Sequence, residues 1–272
     1  MSIRMGYADT PHGVWITNWI AEQLTHDRLD ITIERIVVAD SLSVFAGDSA
    51  ILEALEHVDL VVCDGAFLPV RDAPGVIVAA VCDRADPRHM MRGDGEGVQV
   101  WHPALEALVR HSNPELDICV MPSLIDSSPD VTGVTSFAPS HVIARTGSAR
   151  DKGVEVEAED LLPVACQGSV FVYGHVTNSE LGKYVYETCN HSNTRREVTV
   201  ERYFMSRLSH LVRSQTCCLS TSSDRFLYLF VSTVIDGVKY ITRSSSAMTA
   251  PEAVVEQAIQ DLERQSTSSI VE

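Results

Sequence analysis

Asp59-Leu-Val-Val-Cys-Asp-Gly-Ala-Phe-Leu-Pro69 is the stretch on which the fold turns. With Val58 in front of it, the run from Val58 to Cys63 is apolar at every position but Asp59. A short continuous apolar run of this kind reads as a strand buried on both faces, the habit of parallel sheets. Working outward, residues 3–8 read as a strand. Thr10-Pro11 then opens a helix to about His26, with Trp15, Trp19, Ile20 and Leu24 on one face. Ile31 to Val38 alternates and is β-rich, a second strand. Asp48 to His57 reads as a short helix with Ile51, Leu52 and Leu55 together. The resulting β-α-β-α-β order defines an α/β fold with a doubly wound sheet.

Downstream, Val76 to Cys82 reads as another strand and Arg92-Gly-Asp-Gly-Glu-Gly97 as a turn. A helix over Pro103 to His111, a strand over Leu116 to Met121, a loop over Pro129 to Thr135 and a strand over 140–145 follow. From Glu180 the composition changes. A long helix from Ser192 to about Leu211, strands over Phe226 to Val234 and Val238 to Arg243, and a helix over Ala250 to Arg264 form an α+β unit. The Ser/Thr-rich tail after Gln265 reads as frayed.

The 272 residues, 45% of them hydrophobic, suffice for a large core and one to three domains. No apolar run is long enough to span a membrane and no signal or transit pattern is evident, so the expectation is a soluble, cytoplasmic protein. Seven cysteines without a CxxC pair read as reduced, buried thiols, with Cys217 and Cys218 adjacent. A formal charge of −16 argues against nucleic acid or an anionic membrane as partner. Only three lysines occur, Lys152, Lys183 and Lys239, so any anion chemistry in the first half rests on arginine. No metal-ligand spacing stands out.

Three patches carry a family resemblance. Arg4-Met-Gly-Tyr-Ala-Asp-Thr-Pro-His-Gly-Val-Trp15 resembles R-I-G-T-R-x-S-P-L-A-L-W. Asp59 to Pro69 resembles D-I-A-V-H-S-x-K-D-x-P, and Arg84-Ala-Asp-Pro-Arg88 resembles R-x-D-P-R. Leu162-Pro-Val-Ala-Cys-Gln-Gly-Ser169 resembles L-P-A-x-G-Q-G-A, and Asn190 to Arg202 resembles N-x-x-x-T-x-x-x-V-x-A-E-R. These motifs, in this order, are those of hydroxymethylbilane synthase (porphobilinogen deaminase). The resemblance implies two periplasmic-binding-protein-like α/β lobes with a cleft, plus a smaller C-terminal α+β domain. Its boundaries would be 1–82 with 167–178, then 83–166, then 179–272. It implies a transferase of tetrapyrrole and heme biosynthesis that joins four porphobilinogen units, deaminating each, on a cysteine-linked dipyrromethane cofactor.

The chemistry of that reaction needs cations for the carboxylates of the growing chain and an acid near the reacting pyrrole. Matched without gaps, the family's aspartate falls on Phe67, its lysine on Ala66, its histidine on Cys63 and its serine on Asp64. Asp64 is the one nearby carboxylate and the candidate substitute acid, though it also reads as a solvated strand-end aspartate. The remaining substrate-binding candidates are Thr10, Arg84 and Arg145; the two arginines read equally as ion-pair residues. The G-T-S-S-L-R-R stretch falls on Gln99 to Leu105, which has no arginine. Cys217 or Cys218 would carry the dipyrromethane, or both are a buried pair. Two readings stay open. One is a divergent synthase acting on a small carboxylated pyrrole. The other is a non-catalytic family member that binds, regulates or assembles with a protein partner.

Overall fold

The computed structural model describes residues 1–26, 28, 30–41, 44–45, 47, 49–68, 71–92, 97–100, 103–112, 118–120, 140–145, 154–156, 158, 160–266 and 270–271. The expected loop over Pro129 to Thr135 and the tip of the turn after Arg92 lie outside them.

The chain divides into two compact units, Met1–Ala85 with Gly168–Arg196, and Asp86–Gln167 with Glu197–Glu272. The first contains strands β1 (Ser2–Ala8), β2 (Thr32–Ala39), β3 (Leu60–Asp64), β4 (Val76–Val81) and β10 (Val170–His175). Their order is β2-β1-β3-β10-β4. β1 runs parallel to β2 and β3, whereas β10 is antiparallel to β3 and β4. All five residues of β3 are buried, as its apolar run requires. One sheet face packs on α1 (Pro11–Thr25) and α4 (Ser179–Cys189). Ile16, Ile20 and Leu24 of α1 and Val185 of α4 meet Met5, Leu60, Val62 and Val172 there. Each such side chain contributes roughly 1.5–3 kcal/mol by leaving water. Helix α2 (Ala50–Leu55) packs on β3 and β10 with Ile51, Ala54 and Leu55 buried.

The second unit holds two sheets. One has the order β7-β6-β8-β5-β9, from β5 (His89–Arg92), β6 (Gly97–Val100), β7 (Ile118–Val120), β8 (Ser140–Arg145) and β9 (Val154–Val156). The other is an antiparallel meander of β11 (Thr216–Ser222), β12 (Phe226–Ile235) and β13 (Val238–Ala247). Helix α3 (Pro103–Ser112) contacts both sheets, and α7 (Pro251–Gln265) packs on β12 and β13. The α/β class with a C-terminal α+β portion is therefore the one the sequence led us to expect.

Two local expectations are corrected. The helix from Ser192 ends at Arg207 as α5, and α6 (His210–Arg213) begins afresh after it. The tail after Gln265 does not fray at its end. Ile270 is fully buried, its carbonyl accepts from Ser209 N–H, and Val271 bridges Leu208. The docked tail takes the place of another helical turn. Arg213 completes the break by donating to the Met205 and Leu208 carbonyls, which would otherwise lack a donor at the end of α5.

Two side chains of α5 tie it to its surroundings. β11 is a sheet edge, and its outward N–H groups at Ser220 and Ser222 donate to Glu201 and Glu197 at 2.7 and 2.8 Å. Two carboxylates one turn apart on a helix thus cap a strand edge that would otherwise invite pairing with another chain. The other oxygen of Glu201 accepts from Cys166 N–H. Cys166 has φ +61°, a left-handed conformation unfavourable for a non-glycine residue.

Next to it, Gln167 and His89 are fully buried. The Gln167 amide donates to the Pro87 carbonyl at 2.6 Å and its oxygen accepts from Val164 N–H. The His89 ring reaches the Leu162 carbonyl at 3.2 Å through Nε2 and Gln167 through Nδ1, which fixes a neutral tautomer with the proton on Nε2. Burial pushes His89 down to about 4, against the smaller opposing effect of the Leu162 carbonyl. Its unfolded value near 6.5 is higher, so the unfolded chain takes up the proton first. The associated stability is whole above about pH 6.5 and is lost as pH falls toward 4. Urea midpoints measured across that window should drop by the equivalent of about 3 kcal/mol. His89→Gln should flatten the drop; an unchanged slope in the variant would assign it elsewhere.

Candidate functional site

In open α/β sheets the carboxyl ends of the parallel strands, where the connections diverge to opposite sides, form the natural ligand position. Here β1 and β3 end side by side in the first unit. β1 delivers Thr10, whose Oγ1 accepts from Gly13 N–H at 3.0 Å and caps α1. β3 delivers Asp64, whose side chain is fully buried. One Asp64 oxygen accepts from Ala66 N–H at 2.9 Å; the other lies 2.8 Å from Nε2 of His12, in the first turn of α1. The solvated reading of Asp64 is thereby corrected. A carboxylate here has lost water and gained an imidazole and a backbone N–H instead. His12 was not singled out from the sequence. Its only signal was its place two residues after a helix cap, and the 52 residues separating it from Asp64 hid the pairing.

His12 stacks on Trp15 at 5.8 Å between ring centroids, and Trp15 on Trp19 at 6.4 Å. Trp15 is 51% exposed, which is unusual for so large an apolar ring. The site thus combines a buried Asp–His pair, a helix N-terminus and an exposed aromatic face. It can accept and donate protons and can stack a planar group.

The other named residues sit on other elements. Arg84 is half-buried just after β4, and its backbone N–H donates to Asp83 and to Thr194. Arg145 ends β8 opposite His89; its side chain is outside the described ones. Cys217 and Cys218 are both fully buried in β11 and point to opposite sheet faces, as neighbours on a strand must. Burial pushes the Cys217 thiol far up, only slightly offset by Lys239. Covalent attachment of a two-ring pyrrole needs an accessible thiolate and room beyond it. Neither buried thiol fits that requirement. Among the described residues no cluster of three or more His, Cys, Asp or Glu is placed to hold a metal, and no helix is long and apolar enough to cross a membrane.

The residues that match the family letters have another use. Arg4 pairs with Asp59 at 3.0 Å, joining β1 to the start of β3. Asp86 pairs with Arg88 at 2.7 Å. Asn190 Oδ1 accepts from Val81 N–H at 3.1 Å, and Thr194 Oγ1 from Arg84 N–H at 3.2 Å. Gln167 and Glu201 bond backbone as described above. These matching letters serve the framework, and several bond to one another or to each other's backbone.

The fold defines a protein of α/β class with an antiparallel C-terminal meander. No protein-family model and no curated protein matches the chain. Among solved structures it is similar to a periplasmic substrate-binding protein of an ABC transporter from Coxiella burnetii. The two are 12% identical over 68% of this chain and 91% of that one, with a TM-score of 0.41. The methionine binding protein MetQ is similar at 11% identity over 74% and 93%, TM-score 0.42. A reduced form of OxyR from N. meningitidis is similar at 10% identity over 69% and 95%, TM-score 0.38.

Proposed function

We propose that this chain is a divergent relative of hydroxymethylbilane synthase that keeps the framework of that family and acts as a non-catalytic binding protein. The observation that carries this reading is the division among the matching residues. Arg4, Asp59, Asp86, Arg88, Gln167, Asn190, Thr194 and Glu201 all make framework bonds. The letters that polymerisation needs are replaced, by Cys63, Ala66 and Phe67 among others. The buried state of Cys217 and Cys218 supports it too, since the dipyrromethane primer would have no thiol to join.

The test is intact-protein mass after expression in a host that makes the primer, followed by incubation with porphobilinogen. This reading expects the unmodified mass and no consumption of porphobilinogen. An adduct on Cys217 or Cys218, or turnover, would overturn it.

One observation favours the catalytic reading. Asp64 is buried and paired with His12 at a strand end, which places a carboxylate–imidazole pair able to pass a proton beside the positions of the family's acid. In that case Thr10 and Arg84, of the same unit as Asp64, would bind carboxylates of the pyrrole. Asp64→Asn should then abolish turnover while the protein stays folded, and a variant as active as the parent would remove Asp64 from the mechanism.

A further inference from the structure

The C-terminal meander has two unlike faces. Strand alternation puts Cys218, Leu229, Val231, Thr242 and Ser244 on one face, all nearly or fully buried. The other face carries Leu219 beside Phe230 and Arg243, Ser232 beside Cys217 and Ile241, and Lys239 beside Val234. This second face is only partly covered, and Ile241 stands 51% exposed. Between it, Leu108 of α3, Ala158 and Asp160 to Leu162 lies a small, open-mouthed cleft of about 120 Å³.

The walls are apolar, from Leu108, Leu161, Leu162, Leu219, Phe230 and Ile241. Three polar features break them. Ser232 is 4% exposed, and its Oγ has no hydrogen-bond partner among the described residues. A buried hydroxyl in that state is costly unless something arrives to pair with it. Lys239 lines the same cleft. On β13 it lies two residues from Ile241, the cross-strand neighbour of Ser232, so charge and hydroxyl share one end of this face. Among the described residues Lys239 has no carboxylate partner within ion-pair distance. Arg243 stacks over Phe230 at 5.6 Å and closes the other end. Asp160 also contributes to the lining. In a chain of formal charge −16 with three lysines, a lysine lining a largely apolar cleft favours an anion there.

We infer that this cleft binds a small amphipathic carboxylate, its head held by Lys239 and Ser232 and its apolar body by Leu219, Phe230, Ile241 and Leu108. The cleft's lining residues belong to the second unit and Asp64 and His12 to the first, and the inference stands whether or not the chain is catalytic.

The experiment is isothermal titration of the full chain with decanoate, and with decanol as the same tail without charge. Decanoate should bind saturably at one site, and decanol about tenfold more weakly, the worth of one charge-assisted hydrogen bond. Lys239→Met should weaken decanoate by about tenfold and Ser232→Ala by about threefold. Lys183→Met makes the same charge change on exposed α4 and should leave affinity as it was. Absence of saturable binding overturns the inference. So does equal binding of decanol, or an affinity that Lys239→Met leaves unchanged or Lys183→Met lowers equally.

Discussion

Glu201→Ala is expected to cost the second unit roughly 3–5 kcal/mol, the largest loss from any single side chain outside the apolar core. The carboxylate is fully buried and accepts from two backbone N–H groups far apart in sequence, Cys166 and Ser220. Alanine would leave both donors buried without an acceptor, and each such orphan costs about 1–3 kcal/mol. The left-handed backbone at Cys166 would lose the bond that helps hold it, and the β11 edge would keep only its Glu197 cap. Glu201→Gln restores one acceptor but turns an amide donor toward the other N–H, so it should recover less than half of the loss. Urea denaturation followed by circular dichroism measures both. A Glu201→Ala midpoint close to that of the parent would show that the two bonds are dispensable.

Gly168→Ala is expected to destabilise the first unit by about 3 kcal/mol, from two additive causes. Gly168 sits at φ +85°, a region that costs an L-residue roughly 1–2 kcal/mol. A Cβ there would also stand 2.6 Å from the Ala85 carbonyl oxygen, well inside contact distance. Relieving it must displace backbone, because the neighbour is a main-chain atom, and such overpacking costs about 1–3 kcal/mol. The same two segments are joined by Ala85 N–H donating to the Gly168 carbonyl at 2.9 Å, so the displacement would weaken that bond as well. Gly47→Ala is the control. Its added Cβ would meet nothing closer than 3.5 Å, and its midpoint should move little.

Much of the architecture was legible because it rests on local pattern. The apolar run before Asp64 gave β3, the helical spacing of Trp15, Trp19, Ile20 and Leu24 gave α1, and Thr10 gave its start. The break after Arg207 was not legible. The residues there continue a helical pattern, and what stops the helix is Ile270 and Val271 arriving from the far end of the chain. The candidate site was half legible. Asp64 stood out as the one carboxylate beside the vacated family positions, yet its burial and its pairing with His12 depend on β1 and β3 ending side by side.

The cleft under the meander was not legible at all. Lys239, Ser232 and Leu219 belong to three strands, and only the β11–β12–β13 register places them on one face. By itself the sequence determined the class of fold, the main helices and strands, and which residues match the motifs it resembles. Those properties follow from periodicity, capping and residue identity, all carried by neighbours along the chain. Tertiary structure alone decided what the surviving letters do and where unpaired polar groups collect. Hydrogen bonds and burial join residues by distance in space, and distances such as that from Glu201 to Cys166 and Ser220 exist only once the chain has folded.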